Sequence, residues 1–256
     1  MKNHKILLFS ILLYCNIFAQ QEKTVIIPLS DTGRPVQINL DHKRGSITVD
    51  GYDGTVVVIQ VQERINKAGH SSSGEIDELP VHATEQDNTV RITFSSYRHA
   101  LDVNIRVPRF CNLEITNQKD GNITVNDVNG EQVIDNSGGS IYLNNVTGTA
   151  ILSTIDGNIR ARFSAMSAGQ PMAFSSMDGT IDVMFPKDFG AFLKMKSVYG
   201  QIVSDYDLAH SDKEEYSPGT FLSTLDDNWQ YARLNEGGAQ IFLITYNGDI
   251  YLRKQR

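Results

Sequence analysis

The chain has 256 residues, and its 30 acidic side chains outnumber its 23 lysines and arginines, which gives a formal net charge of −7 at pH 7. A chain this acidic repels phosphate backbones, so we do not expect nucleic acid as a partner. The two cysteines, Cys15 and Cys111, are too few for a disulfide framework, and burial of apolar surface has to stabilise the fold. We expect Cys111 to be a small buried hydrophobe rather than a reactive thiol.

Residues 1–19 have the pattern of a secretory signal peptide. Lys2 and Lys5 precede a short apolar run that closes on Ala19, where a small residue is expected before the cleavage site. The run is too short to span a bilayer, and no later segment is apolar enough to do so. Cys15 could mark a lipoprotein, but a bulky residue precedes it where lipidation favours a small one. We predict an exported chain that is periplasmic, outer-surface or secreted, with at most a peripheral contact to the membrane.

Residues 20–110 contain several strand-like runs, such as KTVIIPL, TVVVIQVQ and LDVNIRVP. Apolar and polar residues alternate in these runs, as they do on a half-buried strand. A polar stretch at 66–78 is typical of a surface loop. We predict that this region is a β-rich N-terminal cap on a repeat domain, because an uncovered end would pair with other chains.

Residues 111–256 repeat a glycine that is followed two positions later by an isoleucine. Successive copies between Gly121 and Gly200 are 18, 18, 22 and 21 residues apart, and the last copy follows after 48 residues. A second strand-like run lies inside each period. The pairs are Gly121 with Ile123, Gly139 with Ile141, Gly157 with Ile159, Gly179 with Ile181, Gly200 with Ile202, and Gly248 with Ile250.

This repeat has a simple physical interpretation. The glycine occupies a turn, and the isoleucine begins a strand whose alternate residues point inward. A two-stranded unit cannot bury such a face alone, whereas coils stacked about 4.8 Å apart place isoleucine on isoleucine in a continuous ladder. We therefore predict an all-β fold, a right-handed β-solenoid with coils of roughly 18–22 residues and an inserted loop at about 205–237. An antiparallel β-sandwich of meandering hairpins is the alternative.

Three stretches carry a family resemblance: LDVNIRVPRFCNLEITNQKDGNITVNDVNG, the DGxI turns that follow it, and the closing GGAQIFLITYNGDIYLRK. Together they resemble the bacterial putative-adhesin family, a domain-of-unknown-function class of exported β-strand-repeat proteins similar to autotransporter adhesin heads. The resemblance covers Leu101 to Lys254. It implies a β-solenoid at the cell envelope and an adhesive role. It transfers no catalytic residue, because the family has no agreed ones.

Outward-facing tyrosines on the predicted coils are the first candidates for ligand binding. Tyr142 and Tyr251 should face solvent, and Tyr199 and Tyr246 should lie at coil corners. An exposed tyrosine ring stacks on a sugar or anchors a protein interface, although scattered surface aromatics are also common.

Charged groups are the second set of candidates. Arg160 should face outward beside Asp182 on the next coil, where a surface ion pair is expected rather than a catalytic pair. A basic group is formed by Arg98, His99, Arg106 and Arg109. It would meet an anionic glycan or lipid, or else it is an ordinary solvated strand face.

Asp120, Asp156, Asp178 and Asn247 precede turn glycines and would line one edge of the stack. A carboxylate ladder could hold Ca²⁺, but the glycine-rich nonapeptide of calcium-binding β-rolls is absent, and Asp-Gly is an ordinary turn pair. We expect no metal and no cofactor, and no catalytic motif is present.

The sequence therefore predicts a non-enzymatic exported protein, an adhesin or an envelope-associated binding or structural module. Its partner would be a cell-surface glycan or an envelope protein. A carbohydrate-active enzyme, either a polysaccharide lyase or a hydrolase on a β-helix, is the alternative. The sequence specifies neither the ligand nor the oligomeric state.

Overall fold

The computed structural model describes residues 22–64, 80–166, 169–210 and 229–255, so the predicted signal peptide and the polar loop at 66–78 lie outside the described residues. Within these ranges the chain forms twenty β-strands and no helix, and hence no helix that could cross a membrane. The strands are β1 (Glu22–Pro28), β2 (Val36–His42), β3 (Ile47–Tyr52), β4 (Val56–Glu63), β5 (Val81–Gln86), β6 (Thr89–Phe94), β7 (Leu101–Pro108), β8 (Cys111–Asn117), β9 (Ile123–Asn126), β10 (Asn129–Gly138), β11 (Ile141–Asp156), β12 (Ile159–Met166), β13 (Met172–Asp178), β14 (Ile181–Phe185), β15 (Ala191–Ser197), β16 (Ile202–Ser204), β17 (Ala209–His210), β18 (Gln230–Leu234), β19 (Ala239–Asn247) and β20 (Ile250–Lys254).

Two stacks of strands enclose one apolar core. The first stack runs β1, β4, β7, β3, β9, β11, β12, β14, β20, β16. The second runs β5, β6, β2, β8, β10, β11, β13, β19, β15, β18, β17. The long strand β11 belongs to both, because its residues 141–148 pair with β12 and its residues 151–156 pair with β13, and Gly148 between these parts has a φ of 99°. Neighbouring strands are parallel except at the stack ends, which confirms the all-β solenoid over the antiparallel sandwich.

The inward isoleucines form the expected ladder. Ile123, Ile141, Ile159 and Ile181 are register partners on successive strands of the first stack, and all four are fully buried. In stack order the ladder is Val103, Ile47, Ile123, Ile141, Ile159, Ile181, Ile250 and Ile202. Burial of each such side chain contributes about 1.5–3 kcal/mol, so this ladder is a main source of stability.

The repeated glycines form a column beside the ladder, because the coils approach too closely there for a side chain. A Cβ atom on Gly139, whose φ is 114°, would lie 2.3 Å from the carbonyl oxygen of Gly121. A Cβ on Gly248 would lie 2.2 Å from the Gly179 oxygen, and one on Gly200 would lie 2.1 Å from the Gly248 oxygen. Neither Gly248 nor Gly200 has a positive φ. Close approach therefore accounts for more of these glycines than the turn conformation does.

The order of coils in space departs from the order in the chain at both ends of the stack. At one end β3 lies between β7 and β9, and at the other β20 lies between β14 and β16. The second stack repeats this arrangement, with β2 between β6 and β8, and β19 between β13 and β15. The coil β15–β16 therefore comes earlier in the chain but lies at the end of the stack. The later coil β19–β20 lies between it and the coil β13–β14.

The region predicted as a cap at 20–110 contributes to the stack itself. The strand pairs β2–β3 and β6–β7 form two coils parallel to their neighbours, whereas β1, β4 and β5 pair antiparallel at the end. The chain passes from β7 to β8 around residue 110 with no break in the stack. The sequence did not reveal these coils because the region holds only one copy of the repeat, Gly45 with Ile47, and Gly45 stacks on the distant Gly121.

The inserted loop at 205–237 is partly strand. Its strand β18 pairs antiparallel with β15 and closes the second stack together with β17. The ring of Trp229 lies 5.3 Å from that of Phe242, and the Lys194 ammonium lies 4.6 Å from the centre of the Trp229 ring. The described parts of the insertion therefore cover the C-terminal end of the solenoid.

Candidate functional site

A buried column of polar side chains fixes the corner where the strongest candidate surface lies. The Asn136 amide donates to the carbonyl oxygens of Gly121 at 3.0 Å and Gly139 at 2.8 Å, and the Thr154 hydroxyl donates to Gly139 at 2.9 Å. In stack order the column is His42, Asn117, Asn136, Thr154, Ser176 and Thr245, which are buried, followed by the half-buried Ser197. A buried carbonyl left unpaired costs about 1–3 kcal/mol, so the column stabilises this corner.

The sequence analysis missed this column, although its signal is visible. The column residue lies three positions before every repeated glycine except Gly121, where Asn117 lies four positions before. The Asn117 amide nitrogen donates to Asn136 and towards Gly45, so the Asn117 oxygen accepts from Nδ1 of His42 at 3.0 Å. Desolvation by burial lowers the pKa of His42 and so favours the neutral imidazole, although the hydrogen bond to Asn117 acts in the opposite direction.

Exposed apolar side chains lie immediately outside this column. We call them the corner ridge: Ile155, Met177, Tyr246, Val198 and Tyr199. They lie beside one another because the residues on either side of Ile155, Met177 and Tyr246 are register partners in β11, β13 and β19. The ridge holds five of the ten large apolar side chains that are exposed in the described residues, which makes it a concentrated patch rather than scattered exposure.

Two tyrosines end the ridge, as the sequence predicted for the coil corners. The Tyr199 and Tyr246 rings meet edge to face, with centroids 5.0 Å apart and an interplanar angle of 86°. The Tyr246 hydroxyl donates to that of Tyr199 at 3.4 Å, and this hydrogen bond raises the pKa of Tyr246. With 71% of its surface exposed, Tyr199 presents an aromatic face to solvent.

The predicted carboxylate edge runs alongside the ridge. Asp156, Asp178 and Asn247 are register partners, and the Asn247 amide donates to Asp178 at 2.5 Å. Asp120 lies further along and pairs with Arg44 at 3.1 Å. The described residues contain no group of three or more His, Cys, Asp or Glu side chains that could hold a metal ion. The edge gives the ridge an acidic rim.

The outward column of the first stack holds the other tyrosine candidates. Tyr142, Arg160, Asp182 and Tyr251 are register partners on four successive strands, and both tyrosines are half-buried. The Tyr251 hydroxyl donates to the carboxylate of Asp249 at 2.9 Å, which raises the pKa of Tyr251. This surface displays polar groups in rows, but its tyrosines are less exposed than the ridge tyrosines.

The ion pair expected between Arg160 and Asp182 is formed by a different arginine. Nη1 of Arg162 lies 3.0 Å from Oδ1 of Asp182, and Nε of Arg253 lies 3.7 Å from the same oxygen. Arg162 is two residues further along the same outward face, so its side chain reaches Asp182 diagonally while Arg160 stays exposed.

The basic group around residues 98–109 does not form one surface. His99 is buried, and its Nδ1 lies 2.8 Å from Oε1 of Glu63, whereas Arg98 is exposed in the turn before β7. Arg106 lies on the outer face of β7, with its guanidinium carbon 4.4 Å from the centre of the Tyr52 ring. Of these side chains only that of Arg106 projects from β7; Arg98 and His99 lie in the turn before this strand, and Arg109 lies in the corner after it.

A groove of about 490 Å³ lies near the N-terminal end of the stack. We call it the N-terminal groove: the β1–β2 loop, the β3–β4 turn and the β7–β8 corner form it, and Arg34, Tyr52, Asp53, Arg109 and Phe110 are among its lining residues. The sequence analysis did not find it, because its three segments are far apart in the chain.

Cys111 behaves as expected. Its side chain is fully buried, and burial raises the pKa of the thiol to about 12. A thiol this hard to ionise is a poor nucleophile, so Cys111 is part of the core.

The profile of one protein family, described as Toastrack DUF4097, matches residues 102–253, which is more than half of the chain. The chain belongs to the Toastrack DUF4097 family. This match spans the coils from β7 to β20 and confirms the family resemblance inferred from the repeated turns. A search of curated proteins finds no match.

Crystal structures of two bacterial proteins resemble this Toastrack chain. A putative cell adhesion protein from Clostridium sporogenes ATCC 15579 is 12% identical with a TM-score of 0.51, and the match covers 92% of this chain and 100% of that one. A putative adhesin from Bacteroides fragilis NCTC 9343 is 10% identical with a TM-score of 0.41, covering 91% and 97% of the two chains. At 12% identity the first likeness concerns the fold alone, and the TM-score of the second is too low to support any conclusion.

Proposed function

We propose that this chain is an exported, non-enzymatic binding module of the adhesin type, and that its corner ridge docks on a protein of the cell envelope. The ridge is the observation that carries the proposal. An exposed apolar patch with a polar rim is characteristic of protein interaction sites, and tyrosine is enriched among the residues that dominate their binding energy. The ridge ends in the paired rings of Tyr199 and Tyr246, which would anchor such an interface.

The rigidity of the ridge supports the same function. Ile155, Met177 and Tyr246 project from strands that are in register on both sides, and the polar column beneath them pairs the corner carbonyls. A surface that is already ordered loses little conformational entropy on binding. The ridge can therefore bind without first having to fold.

Charge indicates the chemistry of the partner. Asp156 and Asp178 line the ridge, and the whole chain carries a formal net charge of −7. A complementary protein surface would have an apolar centre and a rim of lysine or arginine, which steers association at low ionic strength. The similar fold of the putative cell adhesion protein from Clostridium sporogenes is in keeping with this role, and the signal-peptide pattern at 1–19 supports export.

The proposal is tested by site-specific photo-crosslinking in the source bacterium. A photoreactive amino acid at Met177 should capture one envelope protein, whereas the same group at the exposed Thr116 should not. The captured protein, once purified, should bind the chain from residue 20 onward. The variant Y246A should bind it at least about tenfold more weakly, since truncation of an anchor residue costs about 2 kcal/mol.

Equal capture from both positions, or unchanged affinity of Y246A, would overturn the proposed docking surface. Turnover of any polysaccharide in a glycan panel would favour the alternative function, a lyase or hydrolase on a β-helix.

A further inference from the structure

Phe110 is exposed although Cys111 next to it and Val107 three residues before it are buried. Its surface is 67% accessible, whereas Val107 and Cys111 are fully buried. The backbone at this residue is fixed, because the Phe110 carbonyl accepts from the amide of Val36 at 3.4 Å and the residue forms an isolated bridge to Asn129. A large aromatic ring held rigidly at the wall of a groove, and not packed into the core, offers an apolar face to a ligand.

A donor and an acceptor lie beside each other in the same groove. Nε of Arg109 donates to Oδ1 of Asp53 at 2.8 Å, and Nη1 of Arg109 donates to the backbone oxygen of Asp127 at 3.4 Å. The carboxylate of Asp53 is largely exposed, so its other oxygen is open to solvent. An adjacent guanidinium and carboxylate can bind two neighbouring hydroxyl groups of one ligand.

The two arginines of the groove are both neutralised by partners. Arg34 pairs with Asp31 at 2.6 Å, as Arg109 does with Asp53. The groove therefore offers no excess positive charge that would select an anionic ligand, and its apolar wall includes Pro35 in addition to Phe110. Its volume of about 490 Å³ lies in the range of small-molecule sites, which are mostly apolar with a few placed polar groups.

We propose that the N-terminal groove binds a neutral saccharide, with one sugar ring against Phe110 and two hydroxyl groups on the Arg109–Asp53 pair. This site is independent of the corner ridge, because it lies between the β1–β2, β3–β4 and β7–β8 connections at the other end of the stack. Most of its residues precede the segment 102–253 that the Toastrack profile matches.

Isothermal titration of the chain from residue 20 onward tests this inference. The probes are cellohexaose, chitohexaose, mannohexaose and xylohexaose, with hexagalacturonic acid as the acidic comparator. At least one neutral hexasaccharide should bind with a sub-millimolar Kd and more tightly than the acidic one. F110A should weaken binding at least about tenfold, and D53N should weaken it severalfold.

Two controls separate this site from other surfaces. Y97A removes a ring that is also exposed but lies away from the groove, and Y246A alters the corner ridge; both should leave the saccharide Kd unchanged. Circular dichroism should show that F110A stays folded, because the ring is exposed. Failure of every neutral probe to bind, preference for the acidic probe, or an F110A affinity equal to that of the parent chain would overturn the proposal. None of these results bears on the ridge.

Discussion

The central coils and the end coils of this solenoid follow different rules. From β8 to β14 each coil is laid on the one before it, so chain order and stack order agree. At each end the chain instead inserts one coil between two others, and antiparallel strands cover the outermost coil. A simple stack leaves its last coil with one neighbour and an open edge. Here the C-terminal strands have neighbours on both sides, so the chain end is held inside the fold.

Removal of residues 238–256 should have the largest effect. This deletion takes away β19 and β20, which separate β13 from β15 and β14 from β16. The truncated chain should be insoluble or lack a cooperative unfolding transition, as judged by circular dichroism and size-exclusion chromatography. A chain that starts at residue 29 lacks only β1, an end strand without a fully buried residue, and should stay folded. Similar stability of the two truncated chains would contradict the placement of β19 and β20 between their neighbouring coils.

A side chain in the glycine column should be the most damaging single change in the central coils. G139A places a methyl group 2.3 Å from a carbonyl oxygen at a φ of 114°, so we expect a loss of about 4 kcal/mol or more in the free energy of unfolding. G169A is the control, since Gly169 also has a positive φ but no atom within 4 Å of the added Cβ. It should lose only about 1–2 kcal/mol. Equal losses in urea denaturation would mean that the coils are not in close contact.

Isoleucine-to-alanine substitutions in the buried ladder and on the exposed ridge should change the free energy of unfolding by different amounts. Ile159 is fully buried in the ladder, and we expect I159A to lose about 2–5 kcal/mol. Ile155 is 51% exposed on the corner ridge, so I155A should change the free energy of unfolding by less than about 0.5 kcal/mol. Chemical denaturation of both variants measures this contrast. A large loss for I155A would mean that the ridge is part of the core rather than a free surface.

Acidification should weaken the polar column at its His42 end. Burial lowers the pKa of His42 below that of an unfolded histidine, about 6.5. As the pH falls through that value the unfolded chain takes up this proton first, so the free energy of unfolding decreases. The variant H42Q should lose part of this pH dependence between pH 7 and pH 5, in matched urea titrations. An unchanged slope would show that His42 is not protonated on unfolding.

Features that repeat at short intervals along the chain could be predicted from the sequence. Features formed by contacts between distant segments could not. The ladder of Ile123, Ile141, Ile159 and Ile181 follows from regular spacing, and the corner positions of Tyr199 and Tyr246 follow from the turns. The polar column was missed because a buried Asn, Thr or Ser looks like an outward residue until its carbonyl partner is known.

The insertion of coils at the ends could not be predicted from spacing. A gap of 48 residues between Gly200 and Gly248 says only that an excursion occurs. It does not say on which side of the preceding coil the chain returns, because either side offers an equivalent strand edge. The N-terminal groove could not be predicted for a related reason: it is formed by three connections that are far apart in the sequence and meet only in the folded chain.

Disulfide formation between engineered cysteines tests the inserted coil most directly. Residue 182 faces residue 251 on the adjacent strand, and residue 251 separates it from residue 203. Adjacent strands lie about 4.8 Å apart, within disulfide reach, whereas two strand spacings exceed the limit of about 7 Å. In the chain from residue 20 onward, oxidised D182C/Y251C should form the crosslink by mass spectrometry and D182C/V203C should not. A crosslink in D182C/V203C and none in D182C/Y251C would place the coils in chain order and contradict this architecture.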